Sequence, residues 1–167
     1  LQRHFGFNLP RWTQIDFARV VQAHAASMAR ELKTDELLEI FTQAYLKQDK
    51  FRLSDYTISN KGDAVSFQGQ VATPKAVFEV IGQGNGALSA FIDGLVKSTG
   101  RQIHVTNYAE HAIDNKAHQK TDTDNQTDAA AAAYIQLSVE GQIYSGIATC
   151  HSTVSAMLKG ALYALAQ

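Results

Sequence analysis

Three places in this chain gather residue types that could do chemistry. Cys150 and His151 set a thiol beside an imidazole. Successive side chains of an extended segment point to opposite faces, so His151 is poorly placed to take the thiol proton, and a buried, inert cysteine is the better reading. Gly82-Gln83-Gly84-Asn85-Gly86 alternates glycine with amides where a strand gives way to a helix. Free N–H groups at a helix start can hold a carboxylate or phosphate, so the run reads either as a backbone anion pocket or as a tight turn with no ligand. It lacks the parallel crossover and the acidic partner of a dinucleotide fingerprint. The six histidines, His4, His24, His104, His111, His118 and His151, show no close ligand spacing. Asp16, Glu39, Glu79 and Glu110 form no carboxylate pair on a shared face, so neither a metal site nor an acid–base pair is expected.

A further candidate is the period-two segment from Arg101 onward. Strict alternation puts His104, Tyr108, Glu110 and Ala112 on one face and Val105, Asn107, Ala109 and His111 on the other. One face either lines a ligand space, widened by the small residues Ala129, Ala130 and Ala131, or simply packs in a core with the Tyr108 hydroxyl reaching water.

The elements that must position these residues come in two copies. Leu88-Ser89-Ala90-Phe91-Ile92-Asp93-Gly94 returns 66 residues later as Val154-Ser155-Ala156-Met157-Leu158-Lys159-Gly160. Each copy follows strand-like runs, which predicts two βββα units whose sheets need each other to bury their faces. In the first unit, Leu53–Ile58, Val65–Val71 and Val77–Ile81 read as strands, the last covered on both faces, and Leu88, Phe91, Ile92 and Leu95 carry a helix closed by Gly100. In the second, the strand from Arg101 is followed by a polar, low-complexity stretch, 115–127, expected to be a mobile surface loop. Ala129–Ala133 leads into a hairpin turning at Glu140-Gly141, and Ser152 or Thr153 caps the last helix.

Ahead of both units, Ile15, Ala18, Val21, Ala25, Met28 and Leu32 recur at helical spacing, predicting a helix over Trp12–Lys33. A second helix, capped by Thr34 and ending near Gln48, carries Leu37, Phe41, Ala44 and Tyr45. The fold class is therefore α+β: a helical linker hairpin over 1–50 and a duplicated βββα domain over 51–167, with units of about 51–100 and 101–167. The hairpin is too small to be stable alone and must lean on something else.

Composition narrows the function classes. Fifteen basic and sixteen acidic residues, scattered singly, give a net charge of −1 and argue against nucleic acid and acidic membrane. No apolar run is long enough to span a bilayer. The single cysteine excludes an internal disulfide framework and points to a reducing, cytoplasmic setting. Leu1 stands where an initiator Met would, and the chain reads as a piece of something longer.

The quoted residues carry a resemblance. Gly84-Asn85-Gly86 with Leu88 and Ala90, Tyr108-Ala109-Glu110-His111-Ala112, Asp128-Ala129 running into Ala132-Ala133-Tyr134, and Ser155-Ala156 together resemble the C-terminal regulatory domain of the 2-isopropylmalate synthases. Leu9-Pro10-Arg11, Gln14-Ile15-Asp16-Phe17 and Val20-Val21-Gln22 look like the linker of that family's long form. The family condenses acetyl-CoA with 2-oxoisovalerate at a divalent metal, Mg or Mn, in a TIM barrel. This chain lacks the barrel pattern, so the resemblance implies a sensor without catalytic residues or a cofactor of its own. It implies a homodimer that binds L-leucine as feedback inhibitor at its interface and signals to the parent barrel. Carried over, the leucine pocket consists of Leu88, Ser89, Val105, Tyr108, Ala112, Ala129 and Ala131, with the Gly84, Asn85 and Gly86 turn at its mouth. Ala87 replaces the family's usual proline, and the 115–127 loop is longer than usual. Alternatives are an isoleucine-binding domain of a citramalate synthase, a purely structural dimerisation module, or a small enzyme using Cys150 and His151.

Overall fold

Arg52 is where the chain stops burying a helical stripe and starts burying alternate residues. The structure, a computed structural model, describes residues 6–46, 50–113 and 129–167. Among the described residues two helices come first, α1 (Arg11–Met28) and α2 (Thr34–Phe41), the latter running on into a π turn over Thr42–Leu46. The first unit follows as β1 (Arg52–Lys61), β2 (Ala64–Ala72), β3 (Val77–Gly84) and α3 (Ala87–Thr99). The second is β4 (Ile103–Ile113), β5 (Ala130–Val139), β6 (Gln142–Cys150) and α4 (Thr153–Leu165). The strands form two antiparallel sheets of three, ordered β1-β2-β3 and β4-β5-β6. The α+β fold with two βββα units and preceding helices is the architecture the repeat predicts. The polar 115–127 loop lies outside the described residues.

Turn chemistry sets the boundaries. Gly62 (φ 64°) turns β1 into β2, and Glu140 (φ 51°) with Gly141 (φ 79°) turns β5 into β6, the left-handed pair that a tight hairpin requires. Gly100 ends α3 at φ 70°. Helix α1 stops at Met28, short of the expected Lys33, because Ala29 turns left-handed at φ 53°. The chain then folds back: the Arg30 guanidinium forks onto the Glu36 carboxylate, which also takes the Lys33 N–H at 2.7 Å. Those two contacts hold the Glu36 carboxyl down to about 2. Lys33, rather than Thr34, is therefore the N-cap of α2.

Each helix lies on its own sheet and also touches the first strand of the other unit. One core results, combining Phe67, Val80, Phe91 and Leu95 of the first unit with Ile135, Leu137, Leu158 and Leu162 of the second. The close approach depends on glycine. A Cβ on Gly82 would lie 2.0 Å from the Ala90 carbonyl oxygen and 2.3 Å from the Gly94 nitrogen. One on Gly146 would lie 2.1 Å from the Gly160 oxygen and 2.5 Å from the Ala164 nitrogen. Gly94 and Gly160, the last residues of the sequence repeat, each lie against the strand glycine of their own unit, although the second contact falls one helical turn further along its helix.

The outer faces of the two sheets differ. That of β4-β5-β6 is covered by the helical lead, with Phe7, Phe41 and Tyr45 packed on Ala132, Tyr134 and Ile147. The buried Tyr45 hydroxyl donates to Asp16 at 2.6 Å, tying the π turn to α1. Among the described residues nothing covers the outer face of the other sheet. Val77 is 63% and Ile81 53% exposed, which corrects the reading of β3 as covered on both faces: its Val-Phe-Glu-Val-Ile run is half core and half surface.

Two stability measurements check this packing. Gly82→Ala or Gly146→Ala should cost about 3 kcal/mol or more, or prevent folding, because the atoms met are backbone and cannot swing away. Gly86→Ala, where a Cβ meets nothing within 4 Å, should cost about 1 kcal/mol or less in urea denaturation.

Candidate functional site

The two units are related by an internal near-symmetry, and the candidate site is where it breaks. Leu53-x-x-Tyr56 and Val105-x-x-Tyr108 occupy matching places, each with a register shift between the aliphatic residue and the tyrosine. In β4 the shift skips Thr106, so Val105 pairs with Leu137 and Tyr108 with Ile135. Val105 thereby joins Tyr108 on the face toward the helices, which corrects the strict alternation that put them on opposite faces.

On the first unit's side the Tyr56 ring stacks on Phe67, centroids 5.7 Å apart, and its hydroxyl meets the Ser155 hydroxyl of α4 at 2.5 Å. By symmetry Tyr108 would close onto Ser89 of α3. It does not, because each partner is taken by a neighbour that its counterpart lacks. Two residues after Tyr108 stands Glu110, whose carboxylate accepts the Tyr108 hydroxyl, whereas two residues after Tyr56 stands Ile58. Asn85 Oδ1 accepts the Ser89 hydroxyl at 2.8 Å, and Ser89 Oγ in turn accepts the Gly86 N–H at 3.0 Å. The place of Asn85 is taken by His151 in the second copy.

A groove of about 390 Å³ stays open between these parted groups, lined by Asn85, Gly86, Ala87, Leu88, Ser89, Val105, Tyr108 and Met157. That volume is in the range of small-molecule sites. Its walls are aliphatic, thioether and aromatic, and none of the eight lining side chains is formally charged. At one end lies the start of α3, which Gly86 leaves without a side-chain cap. The first-turn N–H groups there have no preceding helix carbonyl to bond and carry the positive end of the helix dipole. Tyr108 is 40% exposed, and partial burial together with the Glu110 hydrogen bond and charge pushes its phenol up. It stays a neutral hydrogen-bonding wall.

Six of the ten residues singled out from the sequence meet in this groove: Asn85, Gly86, Leu88, Ser89, Val105 and Tyr108. Gly84 belongs to β3 instead, and its missing Cβ makes room for Ser89 Oγ, which would lie 2.3 Å away. Ala112 and Ala131 pair across β4 and β5, farther along the same face, and neither lines the groove. Ala131 is 5% exposed and packs with Ala133 and Ala156, while Ala112 and Ala129 are exposed. Sequence reasoning missed Ala87 and Met157. Met157 was legible as the repeat counterpart of Phe91, a flexible side chain where the first copy has a rigid ring.

The other chemical candidates separate. Gly82 is explained by helix packing rather than by an anion. Cys150, half-buried rather than fully buried, ends β6 against the alanine cluster, with Sγ 4.0 Å from Lys159 Nζ. Ser152, not Thr153, caps α4 and accepts the Ser155 N–H at 3.2 Å. Among the described residues no three His, Cys, Asp or Glu side chains gather as metal ligands, and no described helix is long and apolar enough to cross a membrane.

Comparison with known proteins follows from this geometry. The model of the LeuA allosteric (dimerisation) domain matches residues 31–167. A 2-isopropylmalate synthase of Thermobifida fusca is 32% identical over 95% of this chain and 26% of its own length. One from Saccharomyces cerevisiae is 34% identical over 81% of this chain and 21% of its own. One from Mycobacterium leprae is 30% identical over 96% of this chain and 25% of its own. The chain thus spans about a quarter of the length of these relatives. With the paired βββα units and the matched residues in agreement, the chain belongs to the LeuA allosteric (dimerisation) domain family.

Proposed function

We propose that this chain is the regulatory part of a cytoplasmic 2-isopropylmalate synthase and that its groove takes L-leucine as feedback inhibitor. The observation that carries this reading is the pairing of an uncharged, mostly apolar wall with an uncapped helix start. A phosphorylated or strongly anionic ligand would find no cationic side chain in this lining. A zwitterion with an aliphatic side chain suits it: the carboxylate meets the first-turn N–H groups of α3, and the isobutyl group lies against Leu88, Val105 and Met157. Glu110, two residues beyond Tyr108, supplies a carboxylate for the ammonium.

In this reading residues 1–50 are the linker, 51–167 the effector domain, and a second copy of the chain meets the first over the groove. The partner copy brings the exposed Ala112 and Ala129 into the completed pocket, and Gly84 keeps its turn close to Ser89. Condensation chemistry and its divalent metal belong to a barrel elsewhere in the parent enzyme. Leucine binding biases how the paired domains sit, and the linker passes that bias on as a coupling free energy, typically about 1–3 kcal/mol.

Calorimetric titration of the chain tests the ligand. Leucine should bind with saturable heat, and valine, one methylene smaller, about four-fold more weakly, from ~0.8 kcal/mol per buried methylene. Isoleucine preference would assign the domain to citramalate synthesis, and no heat from any of the three would leave a structural dimerisation module. Val105→Phe, on a side chain 37% exposed in the free groove, should fill the space and weaken leucine binding ten-fold or more at nearly unchanged thermal stability. Ala131 is a poor choice for this test because a larger side chain there would overpack the buried alanine cluster. Light scattering should return twice the chain mass, and a monomer at high concentration would contradict the shared groove.

A further inference from the structure

Strand β4 shows different partners on its two faces. Val105 and Tyr108 look into the groove. On the other face Ala109 and Ile113 pack with Phe7, Phe41 and Tyr45 of the helical lead, and the His111 ring stacks on Tyr134, centroids 5.5 Å apart at 19°. His111 Nδ1 lies 2.9 Å from the Ala112 carbonyl oxygen. A carbonyl only accepts, so Nδ1 carries the proton and Nε2 is left as an acceptor. Its single lone pair faces the Tyr134 hydroxyl at 2.8 Å and the backbone N–H of Asn8 at 3.1 Å, and that N–H is shared with the Tyr134 oxygen. The imidazole of the regulatory strand therefore holds the segment that leads into α1. Beside it Phe7, 4% exposed, meets Tyr134 edge-on at 6.2 Å.

The two faces are joined through one peptide. Tyr108 donates its hydroxyl to Glu110, and Glu110 immediately precedes His111. A ligand that fixes the Tyr108 ring fixes Glu110, and through the backbone it fixes the orientation of the ring that grips Asn8. We propose that His111 is the positioning residue through which the helical lead senses occupancy of the groove, an occupied groove tightening the hold on Asn8. This rests on reading the groove as an effector site, but the mechanical link can be tested without any ligand.

Amide hydrogen exchange at Asn8 and the ¹⁵N shift of His111 Nε2 are measured by NMR on the 167-residue chain under three fillings of the groove. These are added leucine, the variant Val105→Phe, and the variant Ala87→Leu, which fills from the helix side if the strand variant folds poorly. Filling should slow Asn8 exchange about five-fold, the low end of ordinary allosteric coupling, and shift the Nε2 resonance. His111→Phe keeps a ring to stack on Tyr134 but offers no acceptor, and it should abolish the Asn8 response. His111→Gln, whose amide oxygen can accept, should restore part of it. A response to any filling that His111→Phe removes supports the assignment. If leucine fails to bind while a filling variant still slows Asn8, the effector reading falls and the link through His111 stands. No response to any filling, or a response that survives in His111→Phe, overturns the assignment.

Discussion

The constraint on which the rest of this structure depends is the approach of each unit's helix to the strand before it, glycine against glycine. A single methyl group on Gly82 would collide with backbone atoms of Ala90 and Gly94, and one on Gly146 with backbone atoms of Gly160 and Ala164. Because the helices lie so low on their sheets, they also reach the first strand of the opposite unit, and the two three-stranded sheets share one core. The same approach aims the start of each helix at the first strand of the other unit. The groove is thus a by-product of packing, sited where an orphaned helix terminus meets a foreign strand.

Near-symmetry alone would make two equal sites. Two side chains decide otherwise: Glu110 withdraws the Tyr108 hydroxyl, and Asn85 withdraws Ser89, so the pair that closes on the other side as Tyr56 and Ser155 stays parted here. Each withdrawal exchanges one hydrogen bond for another of about 1 kcal/mol, so opening the groove costs the fold little. It leaves Tyr108 ready to meet a ligand. Such small local exchanges turn a near-symmetric scaffold into one with a single-sided opening at this pair of groups.

Much of the fold was legible because the chain repeats itself. The shared Leu/Val-Ser-Ala opening and the closing Gly94 and Gly160 mark both helices, and turn residues mark the hairpins. Six groove residues were legible too, through the resemblance and the helix start. What was not legible arose from register and context. A bulge at Thr106 turned Val105 to the other face, which no alternation pattern reveals. Ala29 ended α1 early because Arg30 and Glu36 reward a reversal over a further helical turn. Ala112, Ala129 and Ala131 had the right size for a pocket, but Ala131 is buried in an alanine cluster, and Ala112 and Ala129 are exposed outside the groove's lining. Smallness allows either a hollow or close packing, and only tertiary contacts decide between them.

In the proposed function one helix start, and not its symmetry mate, receives the ligand. Amide shift mapping during a leucine titration tests it most directly. The N–H resonances of Ala87, Leu88 and Ser89 at the start of α3 are expected to move to saturation, while those of Thr153, Val154 and Ser155 at the start of α4, behind the Tyr56 hydroxyl, stay in place. Equal movement at both helix starts, or movement confined to α4, would contradict it.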